Sequence, residues 1–475
     1  GSGKTAVLVE RVIKKITDPD SPVDIDKLLI VTFTNPAAAE MKFRITKSLK
    51  EILRSDPFNK NAQRQLNLMS NAKICTIDSF CISLVRENFF ELGINQDFSN
   101  LDENEVNLIE DNIINLTERF KGKPYDINRL RLTPAMFLGS CRYKLSDNDE
   151  TYAEIIDMFN KYNIGYFLYI GGNDSMDTVK KLSDFTIENG IDIKVVGVPK
   201  TIDNDLNGID HSPGFGSAAK YIASCVREVA YDTSIYSIKS VHIIEAMGRN
   251  AGWLTAASAL ARQEDMVAPH LIYLPEIPFS VEQFVSDVKK KLEQYNSIIV
   301  VVSEGIKDKE GNYISSQNEK TDFFGHAQLS GTGEYLKTVI ENEIGCKVRS
   351  LEPSVIQRSA GHISSLTDVE EAYNLGEVAV NAALHGKSGV FSTIRRISDR
   401  PYSIEYGTED VAVVANIEKR VPRSWINQEG NDVTQEMIDY IRPLIEGVVQ
   451  TPYRNGLPDY IDIRHLDVKK QRYKD

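Results

Sequence analysis

Two runs of aliphatic and aromatic residues, each ending abruptly in a small polar cluster, constrain this chain more than any other feature. Gly165-Tyr166-Phe167-Leu168-Tyr169-Ile170 runs into Gly171-Gly172-Asn173-Asp174-Ser175-Met176-Asp177, and Ile193-Lys194-Val195-Val196-Gly197-Val198 runs into Pro199-Lys200-Thr201-Ile202-Asp203-Asn204-Asp205. Short apolar runs bounded by glycine or proline read as buried strands. Strands alternating with helical patterns and glycine-rich turns are the βαβ signature of a parallel sheet. The fold class is therefore α/β. In open sheets of this class, catalytic groups collect just past the carboxyl ends of the strands, where both polar clusters fall.

The clusters carry the residue types that phosphoryl chemistry needs. Asp203 could take a proton from a substrate hydroxyl, and Lys200 could neutralise charge on a transferring phosphoryl group. Paired glycines at 171 and 172 let backbone amides approach a phosphate, and the helix that follows offers its N-terminus to an anion. Asn173, Asp174 and Ser175 present hard oxygen ligands suited to Mg2+ or its waters. Alone, Pro199–Asp205 would read as an Asp/Asn-rich turn with solvated charges. Two strand-end clusters together favour a site.

From about Asp126 onward the chain resembles the phosphofructokinase family. The motifs are LTPAMFLGSCRYKL (132–145), GGNDS (171–175), PKTIDND (199–205), HSPGFGSAAKYIA (211–223), EAMGRNAGW (245–253), VVVSEGI (300–306), DFFGHAQLSG (322–331) and RSLEPSVIQRS (349–359). The resemblance implies phosphorylation of fructose 6-phosphate at its 1-hydroxyl, with Mg2+ as cofactor. ATP-using members resemble GGDGS and PGTIDND; here Asp174 and Lys200 stand at those two glycine positions. Bulk and charge there resemble the pyrophosphate-dependent branch. ATP is the alternative donor.

Residue by residue, the resemblance makes Asp203 the base, with Thr201 beside it and Asp174 within the catalytic group. Lys200 and Arg142 face the transferred phosphoryl group, and Gly171, Gly172 and Ser175 contact the donor phosphate. Met247, Gly248 and Arg249 match a sugar-phosphate contact, and Glu304 a carboxylate that binds sugar hydroxyls. Arg349 and Arg358 match arginines that grip the 6-phosphate, a task suited to their bidentate forks. In the family the first of these often comes from a neighbouring subunit, which implies a homo-oligomer. The pattern departs from the family at three places. Asn173 replaces the usual metal-binding Asp, and Val355 stands where many members have His or Tyr. Nothing in residues 1–125 resembles the family's first strand and donor-phosphate loop.

The upstream segment has a different character. Gly1-Ser2-Gly3-Lys4-Thr5 followed by an amphipathic pattern is the latter part of a P-loop, in which Gly3, Lys4 and Thr5 would contact nucleotide phosphates and magnesium. Leu28–Phe33 reads as a strand leading to Thr34 and Asn35, and Ile74–Phe80 as another strand end. With the AAAEM and TIDSF motifs, residues 1–120 resemble the first third of a UvrD-like helicase domain, most closely that of the helicase/nuclease proteins of bacterial recombination complexes. No acidic Walker B motif or arginine finger follows, so the resemblance implies a fragment without motor activity. The whole is then a phosphofructokinase-like parallel-sheet sandwich lacking its first βα unit, preceded by a partial P-loop helicase domain. The expected division is 1–120 helicase fragment, 121–131 junction, and 132–475 kinase domain with two α/β lobes. The change of family without a linker reads as a truncated reading frame or a junction between unrelated coding fragments.

Composition sets outer bounds. A net charge of -13 over 475 residues argues against a dedicated nucleic-acid binder, leaving DNA contact only to the N-terminal fragment. The five cysteines show no metal spacing, which fits reduced thiols and a cytoplasmic location. No apolar run approaches the ~20 residues that span a bilayer, and no signal-peptide pattern opens the chain. The expected substrates are fructose 6-phosphate and pyrophosphate or ATP; the competing reading is an ATP-binding helicase fragment without turnover.

Overall fold

The computed structural model describes residues 4–18, 21–32, 35–56, 59–69, 72–76, 129–136, 149–314, 331–414 and 417–461. The chain forms two compact units, Gly1–Ile113 and Ile114–Asp475. Arg142 and Gly3 lie outside the described residues.

In the first unit, α1 (Lys4–Ile16), β1 (Leu29–Thr32), α2 (Asn35–Ser55), α3 (Lys60–Leu68) and β2 (Lys73–Thr76) follow in order. The strands pair in parallel, Leu29 opposite Lys73. Ile16, Ile25, Ile45 and Leu49 are fully buried between helices and sheet. Buried Gln65 ties the turn after α1 to α3: its Oε1 accepts the Ile25 N–H (2.9 Å), and its amide donates to Asp24 Oδ1 (3.0 Å). Both expected strands are found within the described residues.

Among its described residues the second unit holds two four-stranded sheets and a two-stranded antiparallel pair, Tyr453–Arg454 with Leu457–Pro458. Its elements begin with α4 (Asp149–Lys161), β3 (Tyr166–Gly171), α5 (Asn173–Glu188), β4 (Lys194–Pro199), α6 (Phe215–Ser234) and β5 (Ser240–Ala246). There follow α7 (Trp253–Ala257), β6 (Leu271–Tyr273), α8 (Val281–Gln294), β7 (Ser297–Ser303), α9 (Thr332–Ile344) and β8 (Lys347–Leu351). The unit closes with α10 (Leu366–Leu384), β9 (Val390–Asp399), β10 (Tyr402–Asp410) and α11 (Gln435–Ile441). One sheet has the order β10-β9-β4-β3, the other β6-β7-β5-β8. Within these two sheets the pairings are parallel except β9 with β10, an antiparallel hairpin the sequence did not suggest. This is the α/β parallel-sheet architecture expected. Among the described residues β3 is an outer strand.

Glycine placement fixes the packing of β4. A Cβ on Gly197 would come 2.6 Å from Met176 Sδ and 2.9 Å from Phe391 Cβ, so its absence admits both side chains. Phe391 on β9 is fully buried, and its ring reaches Gly208, where a Cβ would lie 3.3 Å from Cζ. The same cluster contains Val179, Leu182, Val195, Leu206 and Ile394. Helix α6 is anchored from outside its own sequence. Asp368, in the first turn of α10, accepts the Gly214 N–H at 2.8 Å and the Ser217 N–H at 3.0 Å, satisfying donors that a helix N-terminus leaves open.

Phe391→Ala should destabilise this unit by about 3–5 kcal/mol, because the ring fills space that α5 and β4 are shaped around. Urea unfolding followed by circular dichroism measures the loss. A change below about 1 kcal/mol would mean that the pocket collapses around the smaller side chain.

Candidate active site

The site begins where β3 and β4 end side by side, Gly171 opposite Pro199. The Lys200 N–H donates to the Gly171 carbonyl at 2.9 Å, tying the two polar loops together. Gly171 must be glycine: a Cβ there would overlap Ser175 Oγ. Gly172 caps α5 with φ −92° and ψ −155°, and the amides of Asn173, Asp174 and Ser175 form the helix's first turn. Asn173 Nδ2 donates to Asp205 Oδ2 at 3.1 Å, while its buried Oδ1 accepts no hydrogen bond from any described residue. Asp174 is exposed.

The second loop is held by its own short side chains. The Asp203 N–H donates to Thr201 Oγ1 at 3.1 Å. Asn204 sits at φ 53°, in the left-handed region that asparagine tolerates better than most residues. It is fully buried, with its amide donating to the Tyr440 hydroxyl (3.0 Å) and its Oδ1 accepting the Ser212 N–H (3.0 Å). Burial pushes the Asp203 carboxyl above the usual range, and the charges of Arg249, Lys200 and Arg358 pull it back. Asp205 is raised to about 7, first by burial and then by the neighbouring Asp203 charge. Lys200 is exposed as a residue, yet desolvation of its ammonium, reinforced by Arg358, lowers its pKa; Asp203 opposes both. These mutual influences place Lys200, Asp203, Arg249 and Arg358 in one cluster.

The sheet containing β5 supplies the other wall. Beyond β5, the Met247 N–H donates to Gln357 Oε1 (3.0 Å) and the Gly248 N–H to Glu304 Oε1 (3.2 Å). Ser303 Oγ donates to the Gly248 carbonyl at 2.6 Å. Gly248 has φ 133°, and a Cβ on Gly305 would overlap the Arg249 carbonyl, so the two loops touch through backbone. Glu304 is raised to about 7 by burial, with Asp203 and Glu245 adding to the rise and the Gly248 N–H and Arg249 opposing it.

Several contributors were not singled out from the sequence. Gln357 is buried beside Arg358 and positions Met247. Glu245, inside the EAMGRNAGW motif, is buried and raised to about 7 by desolvation. Its Oε2 accepts the Gly333 N–H at 2.7 Å, and its Oε1 has no hydrogen bond among the described residues. Glu418 accepts from Asn250 Nδ2 at 2.6 Å and raises both Asp203 and Asp205. Only spatial proximity marks it.

Arg349 lies elsewhere. It stands on β8 opposite His242, its Nη1 3.7 Å from Asp232 Oδ2 and 3.4 Å from His242 Nε2. It has no place in the cluster around Asp203 within this chain. Lys4 and Thr5 begin α1, and their side chains are outside the described residues. No group of three or more His, Cys, Asp or Glu that could hold a metal occurs among the described residues.

Residues 72–383 match the family model described as Phosphofructokinase, which reaches further toward the N-terminus than the motifs that begin at Leu132. A pyrophosphate–fructose 6-phosphate 1-phosphotransferase of Methylococcus capsulatus is 41% identical over 350 residues, 73% of this chain and 83% of that protein. The crystal structure of a pyrophosphate-dependent phosphofructokinase from Nitrosospira multiformis superposes with a TM-score of 0.65 at 38% identity, covering 71% of this chain and 81% of that one. An ATP-dependent helicase/nuclease protein of Acetivibrio thermocellus is 53% identical over 110 residues, 23% of this chain but only 9% of that protein.

Glu304 carries a pH signature. Its folded pKa of about 7 lies above the ordinary 4.5, so the folded state holds a proton that the unfolded state has released between these values. The stability this proton provides is full below about pH 4.5 and is lost as pH rises through 7, a difference of at most about 3 kcal/mol. Glu304→Gln should flatten the fall in melting temperature between pH 5 and 8. Parallel melting curves for parent and variant would show that Glu304 ionises normally.

Proposed function

We propose, since the chain belongs to the phosphofructokinase family, that it transfers a phosphoryl group from pyrophosphate to the 1-hydroxyl of fructose 6-phosphate, giving fructose 1,6-bisphosphate and phosphate. The observation that carries this reading is the Asp203 carboxylate set among Lys200, Arg249 and Arg358, where the loops after β4 and β5 meet. A base enclosed by cations is what an alcohol needs when it attacks a polyanion. The new bond joins the sugar O1 to phosphorus as the bridging P–O bond of pyrophosphate breaks. The hydroxyl proton passes to Asp203, and phosphate leaves with the bridging oxygen. Because such a transition state asks little covalent work of the protein, placement and charge stabilisation dominate.

The roles are those the family resemblance implies, and the positions of the described residues support them. Lys200 would face the transferred group, a task the resemblance shares with Arg142, which lies outside the described residues; Gly171, Gly172 and Ser175 lie at the N-terminus of α5, where amides would meet the donor phosphate. Thr201 orients Asp203 through its backbone. Met247, Gly248 and Arg249 line the sugar phosphate, Glu304 receives sugar hydroxyls, and Arg358 takes the 6-phosphate. Arg349, turned toward Asp232 and His242, would serve that phosphate in a neighbouring copy of a homo-oligomer. Mg2+ would be held by Asn173 Oδ1, a buried oxygen with no other described partner, beside the Asp205 carboxylate. When bound, the ion supplies positive charge to the phosphate oxygens.

Asp174 and Lys200 favour pyrophosphate over ATP, since each puts a charged side chain where a nucleotide would need room. The N-terminal unit is read as a helicase-like fragment without motor function, and its parallel β1–β2 pair between helices is compatible with that origin. No helix among the described residues is long and apolar enough to cross a membrane, and a cytoplasmic location fits the cysteine usage.

With fructose 6-phosphate as acceptor, turnover should be faster with pyrophosphate than with ATP. Lys200→Gly should lower the pyrophosphate rate by about 10²–10³-fold, the loss of ~3–4 kcal/mol of transition-state stabilisation. A parent enzyme that prefers ATP would refute the donor assignment.

Asp203→Ser should leave fructose 6-phosphate affinity, measured by calorimetry, near that of the parent while removing ~10²–10⁴-fold of rate. Equal losses of binding and rate would instead make Asp203 a structural residue of the loop.

A further inference from the structure

Behind the Asp203 loop lies a polar network that the proposed reaction does not use, and one cation gathers it. Lys419 follows β10 in the sequence and sits in the run Glu418-Lys419-Arg420, which by composition reads as a solvated charge cluster. Its main-chain N–H donates to the Asp205 carbonyl at 2.7 Å. Its ammonium donates to the carbonyls of Asp210 (2.5 Å) and Ile209 (3.2 Å) and lies 3.5 Å from Asn204 Oδ1. A single residue thus grips both ends of the segment from Asn204 to Asp210. The residue is itself fixed. Trp253 Nε1 donates to the Lys419 carbonyl at 3.0 Å, and the ammonium lies 5.2 Å from the centroid of the same indole.

The gripped segment needs support. Asn204 holds a left-handed backbone, a conformation that persists in a non-glycine residue only when its surroundings over-determine it. Tyr440 completes the enclosure by donating to the Asp210 carbonyl at 2.6 Å, while Arg396 pairs with Asp210 Oδ1 at 3.0 Å.

We propose that Lys419 is a positioning residue for the catalytic base: by holding Asn204 and Asp205 in place, it fixes where the Asp203 carboxylate points. This rests on the reading of Asp203 as the base. The charges around the ammonium are consistent with the role. Desolvation lowers Lys419 to about 8, Asp210 and Asp205 oppose that fall, and Arg396 adds to it, so the group is mostly protonated at neutral pH. The ammonium is occupied by the carbonyls of the loop it holds, so its loss should act on rate more than on substrate binding.

The test uses the full chain with fructose 6-phosphate, pyrophosphate and magnesium. Lys419→Met removes the ammonium and keeps an unbranched chain. It should lower kcat by about 10²-fold, the scale expected when a reacting group is misplaced, with KM for fructose 6-phosphate changed by no more than about threefold. Lys419→Arg, which restores charge and donors, should recover at least about tenfold of that loss. Hydrogen–deuterium exchange over residues 199–214 should quicken in Lys419→Met while that over β5 stays unchanged, a readout of local opening that needs no turnover. An inactive parent enzyme would therefore overturn the phosphotransferase reading while exchange still decided the clamp. If Lys419→Met does not fold, Lys419→Gln carries the same comparison. Unchanged exchange over 199–214, or kcat within about threefold of the parent, overturns the proposal.

Discussion

The candidate site depends first on the parallel pairing of β3 with β4. Pairing in register leaves both strands ending at the same level, and the Lys200 N–H to Gly171 carbonyl bond joins their loops immediately beyond. Everything further out inherits that alignment. Helix α5 starts directly from the first loop, and Asn173 comes within reach of Asp205. A slip of one residue would turn Phe167 or Val195 away from their shared core and separate the two clusters together. The buried face of the sheet and the alignment of the site are specified by one set of contacts.

The electrostatics are organised around acids that burial has made reluctant to ionise. Asp205, Glu245 and Glu304 are each raised to about 7, and Asp203 is raised as well. Desolvation is the largest cause in every case, and the carboxylates add to one another's burden. Lys200, Arg249 and Arg358 pull the other way on Asp203. A base with a pKa near the working pH transfers protons more effectively than one fixed at about 4, so the same burial that costs stability suits acid–base chemistry. Local charge compensates for what the low-dielectric surroundings take away.

Much of this was legible in the sequence because it is local. Strand runs ending in Gly171 and Pro199 and the order of the motifs follow from neighbouring residues. The unread parts are long-range. Lys419 meets the loop more than two hundred residues earlier in the chain, and Gln357 meets Met247 across more than one hundred. Neither carries a pattern, since a lysine between charged residues and a glutamine after an isoleucine are common surface sequences. Arg349 shows the converse. Its motif groups it with Arg358, yet strand pairing sets it beside His242, because β8 runs alongside β5 while Arg358 lies in the turn beyond it. The β9–β10 hairpin was missed because its strands mix charged and apolar residues, as a half-exposed edge does.

Gly171 and Gly305 are closed to variation, since any side chain there would strike Ser175 or the Arg249 backbone. Asp174 and Lys200, which lie just past the paired glycines and the β4 proline, are both exposed. The scaffold is therefore rigid at the two glycines and permissive at the two positions proposed to meet the donor. Evolutionary drift between donors could proceed through these two surface positions by single substitutions that leave the core untouched. A lineage could in this way exchange one energy currency for another without first unlearning its fold.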